Sequence, residues 1–276
     1  TGFGQTGPYA EKAGYDFMVQ GMGGFMSITG ERDDRPGGGP QRAGIPVVDI
    51  MTGMYSTIAV CAAIAGREKT GKGQHLDISL LDTMVGFLAN QGANFLATGK
   101  APERLGNTHP NIVPYQTFKT RDGDIIVACG NDNLFNKFSE VVGRPELPKD
   151  ARFAKNADRV ANRAEVDRVL APIMAAKTTA EWVALLEAAN VPCGPINTIA
   201  EVFDDPQVKA RGMRIEVPHA TAGTVSLIRN PMRFSETPID HDRPPPTLGQ
   251  HTAEILSRTL GKSEQEIAAL KADGIV

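Results

Sequence analysis

The chain has 276 residues, of which 41% are hydrophobic and 22% are charged, and its formal net charge is −3. It lacks the excess of positive charge that binds a nucleic-acid backbone or an anionic membrane surface, so neither is an expected partner. Its most apolar stretch, residues 58–65, is much shorter than the roughly 20 residues that cross a bilayer.

Three cysteines are spread along the chain and never form a CxxC pair: Cys61, Cys129 and Cys193. This spacing argues against a zinc site and against a disulfide framework, and it fits a reducing compartment. We therefore expect a cytoplasmic protein, or one of the mitochondrial matrix if the source is eukaryotic.

The chain opens on the turn residues TGFGQTGPY, a pattern that normally follows a strand. Either the chain begins in a loop, or an upstream piece of the fold is absent. Residues 15–27 then indicate a short helix interrupted by glycines. A short apolar run follows at 45–48, and residues 50–65 predict an apolar helix that should be buried.

Residues 74–80 alternate apolar and polar side chains, which predicts a strand. Ser79 and Asp82 have the spacing of a capping box, so a helix should follow to about residue 97. Prolines and glycines then mark residues 100–114 as a linker.

The second half combines a hairpin with several helices. Strands at 115–118 and 124–128 flank an Asp-Gly turn, which tolerates positive φ. Asp132 is predicted to cap the next helix, and Thr178 with Glu181 forms another capping-box pattern. Periodicity predicts the remaining elements, which are helices at 132–142, 162–177, 179–189, 250–260 and 263–272 and strands at 214–217 and 224–228. The fold class is therefore α/β at both ends, with a smaller α+β insert between them.

Several common catalytic and metal-binding motifs are missing from the sequence. The five histidines form no HxxxH or HxH pair, so we expect no bound metal; they are His75, His109, His219, His241 and His251. There is no GxSxG elbow and no phosphate-binding P-loop. The run Gly21-Met22-Gly23-Gly24 lacks a preceding strand, which favours close helix packing over dinucleotide binding.

Asp49 is the most informative single residue, because it lies between an apolar run and an apolar helix. A carboxylate at a helix N-terminus is stabilised by the helix dipole and by free backbone N–H groups. From the residues alone, Asp49 is either a plain N-cap or an ionised carboxylate held as a nucleophile.

The chain resembles the class III CoA-transferase family over essentially its whole length. The resemblance is carried by the segments GFGQTGPY, AGYDFMVQGMGGFMSITG, VVDIMTGMYSTIAV, EKTGKGQHLDISLLD, LGNTHPNIVPYQTFKTRDG, VPCGPINTIAEVFDDPQV and RPPPTLGQHT. It implies part of a Rossmann-like large domain at 1–105, a small α+β domain at 106–236, and a linker with helices at 237–276 that return to the large domain. Family members have a further N-terminal segment that supplies much of the CoA-binding surface, which favours an absent upstream piece.

The resemblance implies that Asp49 is the nucleophile of a covalent relay. The carboxylate attacks an acyl-CoA thioester to form an anhydride, and the released CoA then gives an aspartyl-CoA thioester. An acceptor carboxylate completes the exchange through a second anhydride. This chemistry implies CoA thioester as a substrate and neither a metal nor a permanently bound cofactor.

The resemblance also places Tyr15, Asp16 and Gly130 at the substrate or CoA site, and a fourth candidate, Arg42, rests on a separate argument from the charge of the expected substrate. Tyr15 matches a position where racemases of the family carry their histidine base, so it favours transfer, and Asp16 completes the pair. Gly130, in VACGND, matches a glycine-rich loop that covers the acyl group, although this chain has only one glycine there. Arg42 is our candidate for binding a second substrate carboxylate. Each of three residues has a structural alternative. Tyr15 could be a core aromatic, Gly130 could be a strand-to-helix turn, and Arg42 could be a solvent-facing arginine.

The sequence is most similar to the family members that exchange CoA between succinate and glutarate, so we expect dicarboxylate substrates. Two alternatives stay open, an acyl-CoA racemase of the same fold and an inactive fragment that lacks the CoA-binding segment. Family members form interlocked homodimers, and the linkers at 100–114 and 237–248 would serve that arrangement.

Overall fold

The computed structural model describes residues 1–240 and 243–276. The described chain is a mixed α/β fold that divides into two compact units, Thr1–Ile196 and Asn197–Val276. The predicted mixture of helices and strands is confirmed, and the Rossmann-like architecture of the large domain stays a prediction. The predicted domain limits after residues 105 and 236 stay predictions.

Helices dominate residues 1–100. They are α1 (Asp16–Met22), α2 (Phe25–Ile28), α3 (Val47–Thr70), α4 (Leu80–Gly86) and α5 (Ala89–Thr98). Gly24, between α1 and α2, has a φ of 85°, a left-handed conformation that favours glycine. A Cβ on Gly23 would lie 2.5 Å from the Met84 side chain. Close packing of α1 against α4 therefore explains this pair of glycines, as the sequence predicted.

Helix α3 is longer and more exposed than the sequence predicted. The predicted helix covered 50–65, but α3 runs from Val47 to Thr70, and its buried residues are Val48 and Met51. Met54 and Ile58, expected in a core, are 60% and 62% exposed. The expected burial was wrong for the described residues, because burial depends on partners distant in sequence.

By length and composition α3 could cross a membrane, which corrects the expectation that the chain has no such stretch. The sequence prediction counted only unbroken apolar runs. Gly, Ser and Thr interrupt the apolar residues of α3, but the helix is still apolar on average. One such helix is weak evidence for a membrane span, because core helices of globular proteins pass the same test.

The N-terminal core is small. Its buried residues come from the N-terminal loop, α1, α3 and α4, and they are Phe3, Val19, Val48, Met51 and Met84. Because Val48 is in the first turn of α3 and Val19 is in α1, this core fixes where α3 begins relative to α1.

The strand predicted at 74–80 does not form. Residues 72–79 have no regular secondary structure, and Leu80 is already the first residue of α4. The N-terminal ammonium of Thr1 donates to the Ile78 carbonyl at 3.0 Å, and the Leu80 amide donates to the Thr1 carbonyl at 2.9 Å. A strand needs a neighbour that pairs along its length, and in the described residues this segment contacts the N-terminal loop instead.

Helix α4 begins as predicted. The Ser79 hydroxyl accepts a hydrogen bond from the Asp82 amide at 3.0 Å, which pairs one of the free N–H groups of the first turn. The predicted helix to residue 97 is present but divided into α4 and α5, because Ala89 adopts a positive φ of 47° between them.

The predicted hairpin is confirmed. Strands β1 (Tyr115–Lys119) and β2 (Asp124–Ala128) pair antiparallel, with Tyr115 opposite Ala128. A third strand, β3 (Cys193–Pro195), pairs antiparallel with the other edge of β2. The sheet order is therefore β1-β2-β3.

Helices pack on this sheet to form a second, larger core. They are α6 (Asp132–Val141), α7 (Asn156–Ala161), α8 (Arg163–Met174) and α9 (Thr179–Ala188). The capping box of α9 is confirmed, since Thr178 and Glu181 exchange hydrogen bonds. The cap predicted for α6 was wrong by one residue, because the Asn131 side chain accepts from the Leu134 amide and Asp132 is already helical.

A fully buried arginine joins the parts of this second core. Arg159 donates to the carbonyls of Val113 and Phe153 at 2.6 and 2.8 Å and to Asp132 Oδ1 at 2.9 Å. Its guanidinium carbon also lies 4.3 Å from the centroid of the Phe135 ring. A buried charge costs free energy unless it is paired and hydrogen-bonded, and here it is both.

The second unit has its own elements, of which two strands and the last two helices match the prediction within a few residues, whereas its first two helices were not predicted. They are α10 (Ile199–Asp204), α11 (Pro206–Ala210), β4 (Arg214–His219), β5 (Gly223–Ile228), α12 (Thr252–Leu260) and α13 (Glu264–Ala272). Strands β4 and β5 form an antiparallel pair through a turn that ends at Gly223, whose φ is 73°. The predicted linker at 237–248 includes residues 241 and 242, and His241 therefore lies outside the described residues.

We predict that Arg159→Met destabilises the first unit by about 3 kcal/mol, because it leaves buried carbonyl acceptors unpaired. The control is Arg168→Met, which removes an arginine of 72% side-chain exposure from an ion pair with Glu165 and should cost less than about 1 kcal/mol. Chemical denaturation followed by the fluorescence of Trp182, the single tryptophan of the chain, measures both losses. Equal losses in the two variants would contradict the role assigned to Arg159.

Candidate active site

Asp49 is the third residue of α3 and does not cap it. The helix begins at Val47, and the preceding Pro46 makes no side-chain cap. The interpretation of Asp49 as a plain N-cap was therefore wrong. The helix starts earlier than predicted because Val47 and Val48 belong to its first turn rather than to a separate apolar segment.

The cap of α3 comes from another helix. Asp16 Oδ1 accepts hydrogen bonds from the Val48 amide at 2.8 Å and from the Asp49 amide at 3.3 Å. These are two of the free N–H groups that begin any helix. Asp16 is the first residue of α1 and is only 9% exposed, so its carboxylate caps α3 from within the N-terminal core.

Gln20 extends this hydrogen-bonded network to a third segment. Its Nε2 donates to Asp16 Oδ2 at 2.6 Å, and its Oε1 accepts from the Ala43 amide at 2.9 Å. Gln20 is fully buried. The one sequence signal for Gln20 is its spacing of four residues from Asp16, which places both residues on one face of α1.

The side chain of Asp49 is exposed, in contrast to that of Asp16. No donor or cation contacts its carboxylate among residues 1–240 and 243–276. It lies in the first turn of α3, where the helix dipole stabilises negative charge. An accessible, unpaired carboxylate at such a position can act as a nucleophile towards an electrophilic carbon.

Tyr15 and Arg42 lie next to this network. Tyr15 immediately precedes Asp16 and is 75% exposed, so the alternative of a core aromatic was wrong. Arg42 is exposed, and its guanidinium carbon lies 5.4 Å from the centroid of the Phe17 ring. Its neighbour Ala43 is held by Gln20, as described above. The structure therefore brings Tyr15, Asp16, Arg42 and the start of α3 together, and the substrate roles predicted for them stay predictions.

Gly130 is an exposed residue beside the other core of the first unit. It lies between β2 and α6, where its amide donates to the Ala128 carbonyl at 3.1 Å. Apart from its two chain neighbours, no residue of the described chain lies within 4 Å of a Cβ built on it. Its neighbour Cys129 is buried, and this burial raises the pKa of the thiol to about 12. The geometry is that of a strand-to-helix turn, and the predicted role in covering a substrate stays a prediction.

Three of the described histidines, His109, His219 and His251, contact nearby polar groups. His109 Nδ1 accepts from the Asn111 amide at 3.1 Å, and burial together with the charge of Arg163 lowers the pKa of His109. Within the described part of the chain, no group of three or more His, Cys, Asp or Glu side chains could hold a metal ion. The expectation that no metal is bound stays an expectation.

Sequence comparison matches residues 1–252 to CoA-transferase family III. A succinate–glutarate CoA-transferase of Agrobacterium fabrum is 46% identical over 257 residues, which are 93% of this chain and 63% of that protein. The human succinyl-CoA:glutarate CoA-transferase is 39% identical over 276 residues, which are 100% of this chain and 62% of that protein. The chain thus spans less than two thirds of the length of these curated relatives.

Structural comparison gives the same result. A CaiB/BaiF family protein from Brucella suis superposes with a TM-score of 0.77 at 51% sequence identity. The match covers 93% of this chain and 66% of that protein. The described fold therefore matches a solved member of the group that the sequence indicates.

Proposed function

Because the chain belongs to CoA-transferase family III, we propose that it moves CoA from an acyl-CoA thioester to a carboxylic acid. The observation that carries the proposal is the unpaired, exposed carboxylate of Asp49 at the N-terminus of α3. CoA thioester is then a substrate, and the chemistry uses no permanently bound cofactor.

The first half of the proposed reaction loads CoA onto Asp49. The Asp49 carboxylate attacks the thioester carbonyl carbon, the carbon–sulfur bond breaks, and CoA leaves as a thiolate. The resulting anhydride joins Asp49 to the donor acyl group. The thiolate then attacks the Asp49 carbonyl carbon, expels the donor carboxylate, and leaves Asp49 as a CoA thioester.

The second half returns CoA to the acceptor. The acceptor carboxylate attacks the Asp49 thioester, which releases the CoA thiolate and forms a second anhydride. The thiolate attacks the acyl carbon of the acceptor, and the carboxylate of Asp49 leaves. The dipole of α3 favours the negative charge that reappears on Asp49 in this step.

Tyr15 supports transfer over racemisation. A racemase needs a second base for the α-proton, and a phenol is a poorer base for this step than the imidazole of a histidine. The two curated relatives described above are named as transferases, which supports the same choice.

We also propose that the substrates are dicarboxylates, in keeping with the substrates in the names of those relatives. A dicarboxylate keeps one carboxylate free while the other reacts, and a guanidinium binds such an anion through two parallel hydrogen bonds. The exposed Arg42 has no carboxylate partner among the described residues, so its donors are available for this contact.

We predict that acyl-CoA leaves a covalent adduct on Asp49, which hydroxylamine converts to a hydroxamate detectable by mass spectrometry of the peptide. Asp49→Ala should lower the transfer rate by at least about a thousandfold, because it removes the nucleophile rather than an assisting group.

The control for this experiment is Asp82→Ala, which removes an exposed carboxylate from the first turn of α4 and should leave the transfer rate unchanged. If Asp49→Ala keeps full transfer activity, Asp49 is not the nucleophile. A protein that forms no adduct and has no transfer activity would instead support the alternative of an inactive fragment, and proton exchange at the α-carbon without an acceptor would support a racemase.

We predict that Arg42→Met raises KM for succinate or glutarate strongly and leaves transfer to monocarboxylates nearly unchanged, because a mono-acid has no second anion to leave unpaired. Arg42→Lys should recover only part of the loss, since an ammonium cannot make the two-pronged contact. Steady-state kinetics with paired mono- and dicarboxylates measures this difference.

Arg35→Met is the matched control for Arg42, because Arg35 is an exposed arginine of the same N-terminal region whose only ion pair in the described chain is a 4.0 Å contact with Glu31. Equal losses with both substrate classes would show that Arg42 does not select dicarboxylates. Unchanged kinetics with both classes would make it a solvent-facing arginine.

We further propose that the protein is a homodimer with interlocked subunits, as the family resemblance implies. The exposed apolar side chains of α3, such as Met54 and Ile58, support an assembly that covers apolar surface. Light scattering at micromolar concentration should give the mass of two chains, and the mass of one chain would contradict this proposal.

A further inference from the structure

The buried pair Asp16 and Gln20 connects three segments that carry candidate site residues. Asp16 holds the amides of Val48 and Asp49 at the start of α3, and Gln20 holds the amide of Ala43, next to Arg42. We propose that this pair, the Asp16–Gln20 brace, positions Asp49 for attack and is not a substrate contact. The inference rests on the proposed function of Asp49.

The brace has a fixed direction of hydrogen bonding. A backbone amide can only donate, so Gln20 must present its oxygen to Ala43 and its Nε2 to Asp16. Residue 16 must therefore accept on both side-chain oxygens, on one from Gln20 and on the other from the two amides of α3. A carboxylate can accept on both oxygens, but an amide at residue 16 would always oppose one donor with another.

Because these groups are buried, a reversed donor or acceptor in the brace costs free energy. Gln20 is fully buried and Asp16 is 9% exposed, so water has little access to a donor or acceptor that loses its partner. Both oxygens of Asp16 already accept from the protein, which leaves the exposed Asp49 as the carboxylate available to substrate. These observations favour a positioning role for Asp16 over direct binding.

The donor-to-acceptor direction of these hydrogen bonds also specifies which substitutions break the brace and which restore it. In Asp16→Asn, the new amide donor faces another donor, which is either Gln20 Nε2 or an amide of α3. In Gln20→Glu, two carboxylates face each other. The double variant Asp16→Asn with Gln20→Glu restores a donor opposite an acceptor at every link. It also keeps one negative charge in the pair, and each substitution is isosteric.

The test measures formation of the Asp49 adduct in single turnovers, at mildly alkaline pH and at a temperature at which every variant is folded. Each single variant should lower the limiting rate constant by about a hundredfold, the scale expected when a reacting group is misplaced by about 1 Å. The half-saturating concentration of acyl-CoA should change by less than about threefold, because no substrate contact is lost. The double variant should recover the rate constant to within about fivefold of the unaltered protein.

A matched pair elsewhere in the first unit controls for general destabilisation. Gln116 in β1 donates to Asp167 in α8 at 2.7 Å and is 7% exposed, so it forms a second Gln–Asp hydrogen bond outside the candidate site. Gln116→Glu places two carboxylates opposite each other and should lower the temperature of unfolding, and neither it nor Asp167→Asn should change the adduct rate constant. An equal loss of rate in these controls would overturn the positioning role of the brace.

Three further outcomes would overturn the inference. They are single variants with an unchanged rate constant, a double variant no faster than either single variant, and a raised half-saturating concentration with an unchanged rate constant. The last outcome would make Asp16 a substrate contact. If the unaltered protein forms no adduct on Asp49, the proposed function fails, and hydrogen exchange then decides the brace. The single variants should lose the protection of the Ala43, Val48 and Asp49 amides from hydrogen exchange. The double variant should regain it.

Discussion

The carboxylate of Asp16 is the group on which the candidate site depends. Helix α3 follows a proline and has no side-chain cap of its own, so its first amides need an acceptor from elsewhere. Asp16 supplies that acceptor from α1, and a cap of this kind typically stabilises a helix by about 1 kcal/mol. The greater consequence is geometric, because the contact between Asp16 and the first amides of α3 fixes the position of Asp49 at the protein surface.

This cap also explains why the Asp49 side chain is free. A carboxylate in the first turn of a helix commonly folds back onto the free amides of that turn. Here Asp16 already accepts from the Val48 and Asp49 amides, so Asp49 is not needed as a cap. One buried carboxylate therefore satisfies the backbone, and a second, exposed carboxylate is available for chemistry. The separation of these roles is the physical basis of the function that we propose.

How much could be predicted from the sequence depends on whether a feature is local. The hairpin and the capping box at Thr178 were predictable, because a few adjacent residues determine them. The strand predicted at 74–80 and the burial of α3 were wrong, because both depend on partners distant in sequence. The cap on α3 joins residues 32 positions apart, and no pattern near Asp49 indicates it. The role of Gln20 could have been predicted from the sequence, since it lies four residues from Asp16 on the same helix.

The most direct test of the account follows the oxygen atoms of the acceptor. In the proposed relay, each turnover leaves one oxygen of the acceptor carboxylate on Asp49, because the second anhydride breaks at the acyl carbon of the acceptor. Turnover with acceptor labelled with oxygen-18 in its carboxylates should therefore transfer the label to the peptide that contains Asp49, and fragmentation should place it on that side chain. Product formation with no oxygen-18 in Asp49 would contradict the account.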